Sequence, residues 1–384
     1  MNIINYSNHY VDRHDRESVL KVLNSNYLTK GNSLINFEIL IKKNCKVNYC
    51  LAMVNASCAL LACLKALNIT KDSIVWCSDN TYIASINCAI HLGAQIDLVD
   101  INLRNYNICE EELEKKLIKA EINKNLPDLL IVTHLAGYPC NLKKIFLLSK
   151  KYNFKIVEDA SHAFGAIYEN NVIGDCKYSE ACIFSFHPVK TITTCEGAAV
   201  TTKSKKIYEN LKEIRENGLS FKKNKCQKID QNYYDVSTLG YNFRLNELQC
   251  ALGISQIKKK KLFIEYRAKV AEYYYKNLDQ TKFILPNYNN KKNISSWHLF
   301  IVRINFKSIK KNKNQVINFL KRKKIYVKTH YPPISTFSLI KKIKKTNYQN
   351  KNVLEYYKTA ISIPIYYNLS IASQRYVVRQ INSI

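Results

Sequence analysis

The 384-residue chain carries 59 Lys and Arg against 30 Asp and Glu, a formal net charge of +29, with 47% hydrophobic and 23% charged residues. That length exceeds one ordinary core, so two domains sharing an interface are expected. The charge does not by itself make a nucleic-acid binder. The basic runs Lys258-Lys259-Lys260-Lys261, Lys310-Lys311 and Lys341-Lys342-Ile343-Lys344-Lys345 are lysine with little arginine, whereas base reading and bidentate phosphate contact favour arginine.

A milder consequence of the charge is a positive field that attracts an anionic substrate. The Lys/Asn tracts near 307–315 and 341–352 read as solvated surface. Thirteen cysteines show no CxxC pair and no metal-ligand spacing with histidine, so neither a metal centre nor a disulfide framework is expected, and the compartment reads as reducing. No apolar run reaches the ~18 residues of a membrane span. The N-terminal MNIINYSNHYVDRHD lacks the charged and apolar regions of a signal peptide. The expectation is a cytoplasmic protein with no membrane or nucleic-acid partner.

In chain order, a helical pattern from Arg16 to Leu23 precedes a turn, Asn26-Tyr27-Leu28-Thr29-Lys30-Gly31, closed by glycine. Tyr49–Val54 reads as a buried strand that passes through Asn55-Ala56-Ser57-Cys58 into an apolar helix. A strand, small-residue turn and helix start form a natural phosphate site, because free amides and the helix dipole face the anion. Ser57 is the candidate donor there, with an ordinary N-cap serine as the alternative. Further apolar strands follow at 73–78, 94–100 and 128–134, alternating with helical segments. That alternation indicates a largely parallel sheet with helices on both faces.

Phe154–Asp159 is a short strand that would deliver Asp159 to the carboxyl edge of the sheet, where α/β folds bind ligands. Ala181–Phe186 has the β-branched and aromatic content of another buried strand and breaks at Pro188, with Lys190 in the turn beyond. A lysine there is either an ordinary loop lysine or a Schiff-base lysine, for which desolvation favours the neutral nucleophile. Pyridoxal phosphate needs a lysine for its imine, a carboxylate for its ring nitrogen and donors for its phosphate. Lys190, Asp159 and Ser185 supply that set. Downstream come a long lysine-rich amphipathic helix, Gln256–Tyr275, a strand at 296–302, and turn-rich segments around His330-Tyr331-Pro332-Pro333 and 362–366.

VEDASHAFGA, FSFHPVKTITTCEGAAV and GYNFRLNELQ together resemble the DegT/DnrJ/EryC1/StrS sugar aminotransferases, over nearly the whole chain. The resemblance implies an aspartate-aminotransferase-like (type I) α/β fold. It places a mostly parallel seven-stranded sheet in a large domain, 1–255, and a smaller α/β domain at 256–384. It implies pyridoxal 5'-phosphate on Lys190, with Asp159 on the ring nitrogen and Lys190 as the proton shuttle. Ala56, Ser57 and Ser185 would lie at the phosphate, Tyr82 would stack on the ring, and His162 would bond the cofactor oxygen. Packing alone is the alternative for Tyr82, and a structural role is expected for His134. Asn242 would reach the phosphate in a neighbouring subunit, which makes the protein a homodimer with shared sites. Thr29, Gly31, His187, Arg244, His330 and Tyr331 are the implied substrate contacts, His187 chiefly shaping the turn.

The implied reaction moves an amino group, with glutamate as the expected donor, to C4 of a nucleotide-linked 4-keto-6-deoxy sugar of the UDP-N-acetylhexosamine type. Such enzymes serve surface glycans of the pseudaminic acid or bacillosamine type. A catalytically silent member of the same fold is the alternative. Cys195 and Ala198-Ala199 stand where the family usually carries glycine, so a locally rearranged loop after Lys190 is expected.

Overall fold

The computed structural model describes residues 3–220, 233–288, 292–344 and 350–384. It opens with helices α1 (Arg13–Leu23) and α2 (Asn32–Cys45). Then come β1 (Tyr49–Met53), α3 (Ala56–Ala66), β2 (Ile74–Ser78), α4 (Ala84–His91), β3 (Gln95–Val99), α5 (Glu110–Ile122), β4 (Leu129–Thr133), α6 (Leu142–Tyr152) and β5 (Lys155–Asp159). A small hairpin of β6 (Ile167–Tyr168) and β7 (Asn171–Val172) precedes β8 (Ala181–Ser185), β9 (Ala198–Thr202) and α7 (Lys205–Arg215).

These elements build a seven-stranded sheet of order β1-β9-β8-β5-β4-β2-β3. Only β9 runs against its neighbours, pairing antiparallel with both β1 and β8. β4, β8 and β9 are buried at every position, as expected of strands covered by helices on both faces. Two hydrophobic clusters line the two faces of this sheet.

Helix α8 (Glu247–Asn277) runs through the boundary expected between residues 255 and 256. At 31 residues it is about 46 Å long. An Asn246–Gln249 capping box starts it; its first half packs on α1 and α2. Val270, Ala271 and Tyr274 at its far end belong to a third cluster. That cluster surrounds a three-stranded antiparallel sheet of β10 (Phe283–Ile284), β11 (Phe300–Ile304) and β12 (Ala360–Ile363). Helices α9 (Lys313–Arg322), α10 (Ser338–Lys344), α11 (Lys351–Thr359) and α12 (Ile371–Asn382) complete this part.

Three expectations shift. The strand expected at 296–302 begins only at Phe300. Trp297 takes a left-handed φ of 52°, and the Ser296 and Leu299 amides bond to Gly137 and Ala136 of the large sheet's loops instead of to a strand. The tract near 341–352 is not simply solvated, since Lys344 is largely buried and pairs with Asp97; residues 345–349 lie outside the described residues. Cys195 does take the left-handed conformation usual for glycine, at φ 65°, while Ala198 and Ala199 are regular, fully buried residues of β9. Among the described residues, no helix is long and apolar enough to cross a membrane and no side-chain group is arranged to hold a metal ion.

Candidate active site

The site forms where β1, β4, β5 and β8 end together. Asp159 closes β5, in register with Thr133 of β4 and Ile183 of β8. Met53 at the end of β1 and Ser185 at the end of β8 both pair with Ala198. They lie two strand spacings apart, about 10 Å, so the start of α3 and the β8 turn share the edge that carries Asp159.

Asp159 is 4% exposed. One carboxylate oxygen accepts from the Ser85 hydroxyl at 2.6 Å and the other from the Ser161 amide at 3.1 Å. Ser85 continues into Thr81 at 3.0 Å, and Thr81 into Thr133 at 2.8 Å. Sequence reading missed this hydroxyl chain; the only local signal was the one-turn spacing of Thr81 and Ser85.

Beyond Ser185 the chain turns back on itself. The Lys190 amide donates to His187 O at 2.9 Å, Phe186 exchanges backbone bonds with Gly197 and Thr194, and the Ser7 hydroxyl holds Val189 O at 3.1 Å. Lys190 is partly buried. Burial pulls its amine down to about 8, against the opposing pull of the Asp159 and Glu196 carboxylates. His187 is exposed, 3.9 Å from Glu196, with its amide on the Ser185 hydroxyl at 3.5 Å.

Asn55, not Ser57, caps α3, accepting the Cys58 amide at 2.9 Å. Ser57 is exposed in the first turn, and the amides of Ala56 and Ser57 are among the helix-start donors without intrahelical partners.

The smaller part of the fold closes over this edge. Tyr331 donates its amide to Asn80 Oδ1 at 3.0 Å and sits 5.7 Å, ring to ring, from Tyr82, which is 57% exposed. Its hydroxyl lies 3.1 Å from His162 Nε2, and the Ala136 amide donates to His162 Nδ1 at 3.3 Å. Both ring nitrogens of His162 are therefore engaged within the chain. The His298 ring, which sequence reading did not single out, packs against His162 at 4.2 Å. His330 bonds Ser362 at 2.8 Å. Burial, reinforced by the Lys190 charge, holds His162 well below the usual imidazole range and His330 near 3. His134 is structural, fully buried between Glu158 at 2.9 Å and the Cys140 amide at 3.0 Å.

Thr29, Gly31, Asn242 and Arg244 gather elsewhere, around Glu216 and Glu247. Gly31 donates its amide to Glu247 at 2.9 Å, Arg244 pairs with Glu216 at 2.8 Å, and the exposed Asn242 forms an isolated bridge with the buried Glu216.

Residues 9–382 match the DegT/DnrJ/EryC1/StrS aminotransferase family. A UDP-4-amino-4,6-dideoxy-N-acetyl-beta-L-altrosamine transaminase of Campylobacter jejuni is 31% identical over 382 residues, covering 100% of this chain and 97% of that protein. The Helicobacter pylori transaminase of the same name is 29% identical, with coverage of 98% and 96%. Helicobacter pylori PseC, an aminotransferase involved in the biosynthesis of pseudoaminic acid, has a TM-score of 0.90 at 28% identity, covering 100% of this chain and 99% of its own. The Streptococcus pneumoniae protein Spr1654 in its PLP form shares the fold at a TM-score of 0.88 and 21% identity, with coverage of 99% and 98%. A lysine and a carboxylate on the same carboxyl edge of the sheet, and a match along almost the whole length, lead to one conclusion: the chain belongs to the DegT/DnrJ/EryC1/StrS aminotransferase family of pyridoxal-phosphate-dependent enzymes.

Proposed function

We propose that this enzyme moves an amino group from an amino acid, glutamate first among them, to the C4 keto group of a UDP-linked 4-keto-6-deoxy-N-acetylhexosamine, for glycans of the pseudaminic acid type. The names of the relatives support the sugar class. The observation that carries the reaction type is the placing of Lys190 in the turn after β8, at the sheet edge where Asp159 ends β5; burial lowers its amine to about 8 against the opposing pull of that carboxylate.

The donor set fits pyridoxal phosphate. Lys190 would hold it covalently, and Asp159 would face its ring nitrogen, kept in orientation by Ser85 and Ser161. The open amides of Ala56 and Ser57 and the Ser185 hydroxyl suit its phosphate, and the Tyr82 face suits its ring. When bound, the cofactor supplies an electron sink for the carbon that loses or gains the amino group. Near pH 8 a large share of Lys190 is neutral, so its Nζ would be free to hold the cofactor and, when released, to take up and return a proton. The buried, neutral imidazoles of His162 and His330 avoid competing for that proton.

We further assign the sugar nucleotide to Thr29, Gly31, His187, Arg244, His330 and Tyr331. Division into parts at 1–255 and 256–384 belongs to the same reading. Asn242 would serve the site of a second copy. Tyr27, Tyr234, Val236 and Leu239 are 68%, 70%, 56% and 71% exposed, and large apolar side chains left in water support a homodimer.

The test is the visible absorption of the purified protein with pyridoxal phosphate, before and after excess glutamate. A band that glutamate bleaches, and that Lys190→Ala lacks, is expected. No band, or a band unmoved by every amino donor tried, would overturn the reading in favour of a silent member of the fold.

A further inference from the structure

We infer that Tyr331 is a proton-presenting residue of this site, aimed at a ligand oxygen, and that the Ala136 amide and His162 are the positioning groups that set the direction of its proton. The inference rests on the site assigned under Proposed function and concerns hydrogen-bond direction within it.

A backbone N–H can only donate, so the Ala136 amide, 3.3 Å from His162 Nδ1, requires that nitrogen to be unprotonated. A neutral imidazole then carries its proton on Nε2. Burial and the nearby Lys190 charge keep His162 neutral. Nε2–H therefore donates to the Tyr331 hydroxyl oxygen at 3.1 Å, and the proton of Tyr331 must point away from His162. Among the described residues His162 is the one hydrogen-bond partner of that hydroxyl, so its proton is left for a ligand. Burial, aided by the Asp159 carboxylate, keeps the phenol protonated.

The backbone is built to hold this direction. Ala136 takes a left-handed φ of 59° and Gly137 one of 88°, a conformation that a non-glycine residue adopts at a cost and that clusters at functional sites. The Ala136 and Gly137 carbonyls are tied to the Leu299 and Ser296 amides, and the Ser296 hydroxyl holds the His162 carbonyl at 2.7 Å. Loops from both sheets thus clamp the ring and its amide donor together. Tyr331 is itself anchored through Asn80 and faces Tyr82.

The acceptor this chemistry suits is an electron-rich oxygen, which could belong to the cofactor ring or to the carbonyl of the sugar. Tyr331→Phe separates the two. A shifted absorption band of the loaded protein before any sugar is added assigns the proton to the cofactor. An unshifted band with kcat/KM for the sugar lowered about 10- to 100-fold, the range of one hydrogen bond to a charged or developing oxygen, assigns it to the sugar. If neither the band nor kcat/KM changes, the inference is overturned.

The direction itself is read by nitrogen-15 NMR of histidine-labelled full-length protein at neutral pH, with and without pyridoxal phosphate. The His162 signal is assigned by its loss in His162→Gln. An unprotonated Nδ1 and a protonated Nε2 are expected; the opposite tautomer or an imidazolium would overturn the inference while leaving the aminotransferase reading intact. His162→Gln, which offers an acceptor and a donor, should recover most of the activity that His162→Leu loses. Equal losses in the two variants would refute the positioning role.

Discussion

Arg215 and Lys190 are both drawn out of water in this fold, and their surroundings differ in kind. The Arg215 guanidinium reaches Glu38 at 2.7 Å, Ala52 O at 3.0 Å and Glu216 at 3.1 Å, and the second oxygen of Glu216 holds Arg244 at 2.8 Å. Glu38 also accepts the Ala52 amide at 2.9 Å. Each charge there is matched, and the cluster ties α2, β1 and α7 to the segment ahead of α8. Around Lys190, by contrast, the imidazoles are neutral and the two carboxylates do not offset the loss of water. Full pairing makes a buried charge into a structural joint. Incomplete pairing leaves a displaced pKa, which is what a nucleophilic amine requires.

The contrast breaks if the two sites respond alike to truncation. Lys190→Ala should abolish amino transfer, by at least about 10³-fold in single-turnover assays, without lowering the melting temperature, because it deletes an under-paired ammonium group. Arg215→Ala should do the reverse. It strands Glu38, leaves Glu216 with Arg244 as its close partner, and is expected to cost about 3–5 kcal/mol, read as a lower urea midpoint, while the folded fraction keeps its cofactor band. A cost below about 1 kcal/mol would place that pairing with weak surface ion pairs.

The smallest and sharpest effect is one of pH. The folded Lys190 amine lies at about 8, below the 10.5 of the unfolded chain. Between those values the unfolded state binds more protons, so folding stability rises with pH. Cofactor-free wild type should therefore gain on Lys190→Met between about pH 8 and 10.5, with a constant gap below pH 8. A gap that stays level throughout would mean the amine is not displaced.

Much of this site was readable because its parts are local. Asp159 and Ser185 end apolar strands, Lys190 follows a proline turn, and the alternation of strands and helices already placed those ends on one edge. What could not be read is whatever depends on who meets whom across the sheet. Ser85 reaches Asp159 over 74 residues of chain because β2, β4 and β5 lie side by side. The Ala136 amide meets His162 because a left-handed turn follows β4. The strand expected from Ser296 was displaced by a long-range dock onto that same turn. At Ser57 the local pattern was right about the helix start and left its cap open; Asn55 takes that role.

From the sequence alone came the strand and helix periods, the residues at their ends and the family those motifs resemble, since side-chain alternation and turn chemistry act over a few residues. Only the tertiary structure decided which charges are paired, which imidazole nitrogen bears its proton and which way the Tyr331 hydroxyl points. Hydrogen-bond direction and desolvation depend on groups brought together from distant parts of the chain.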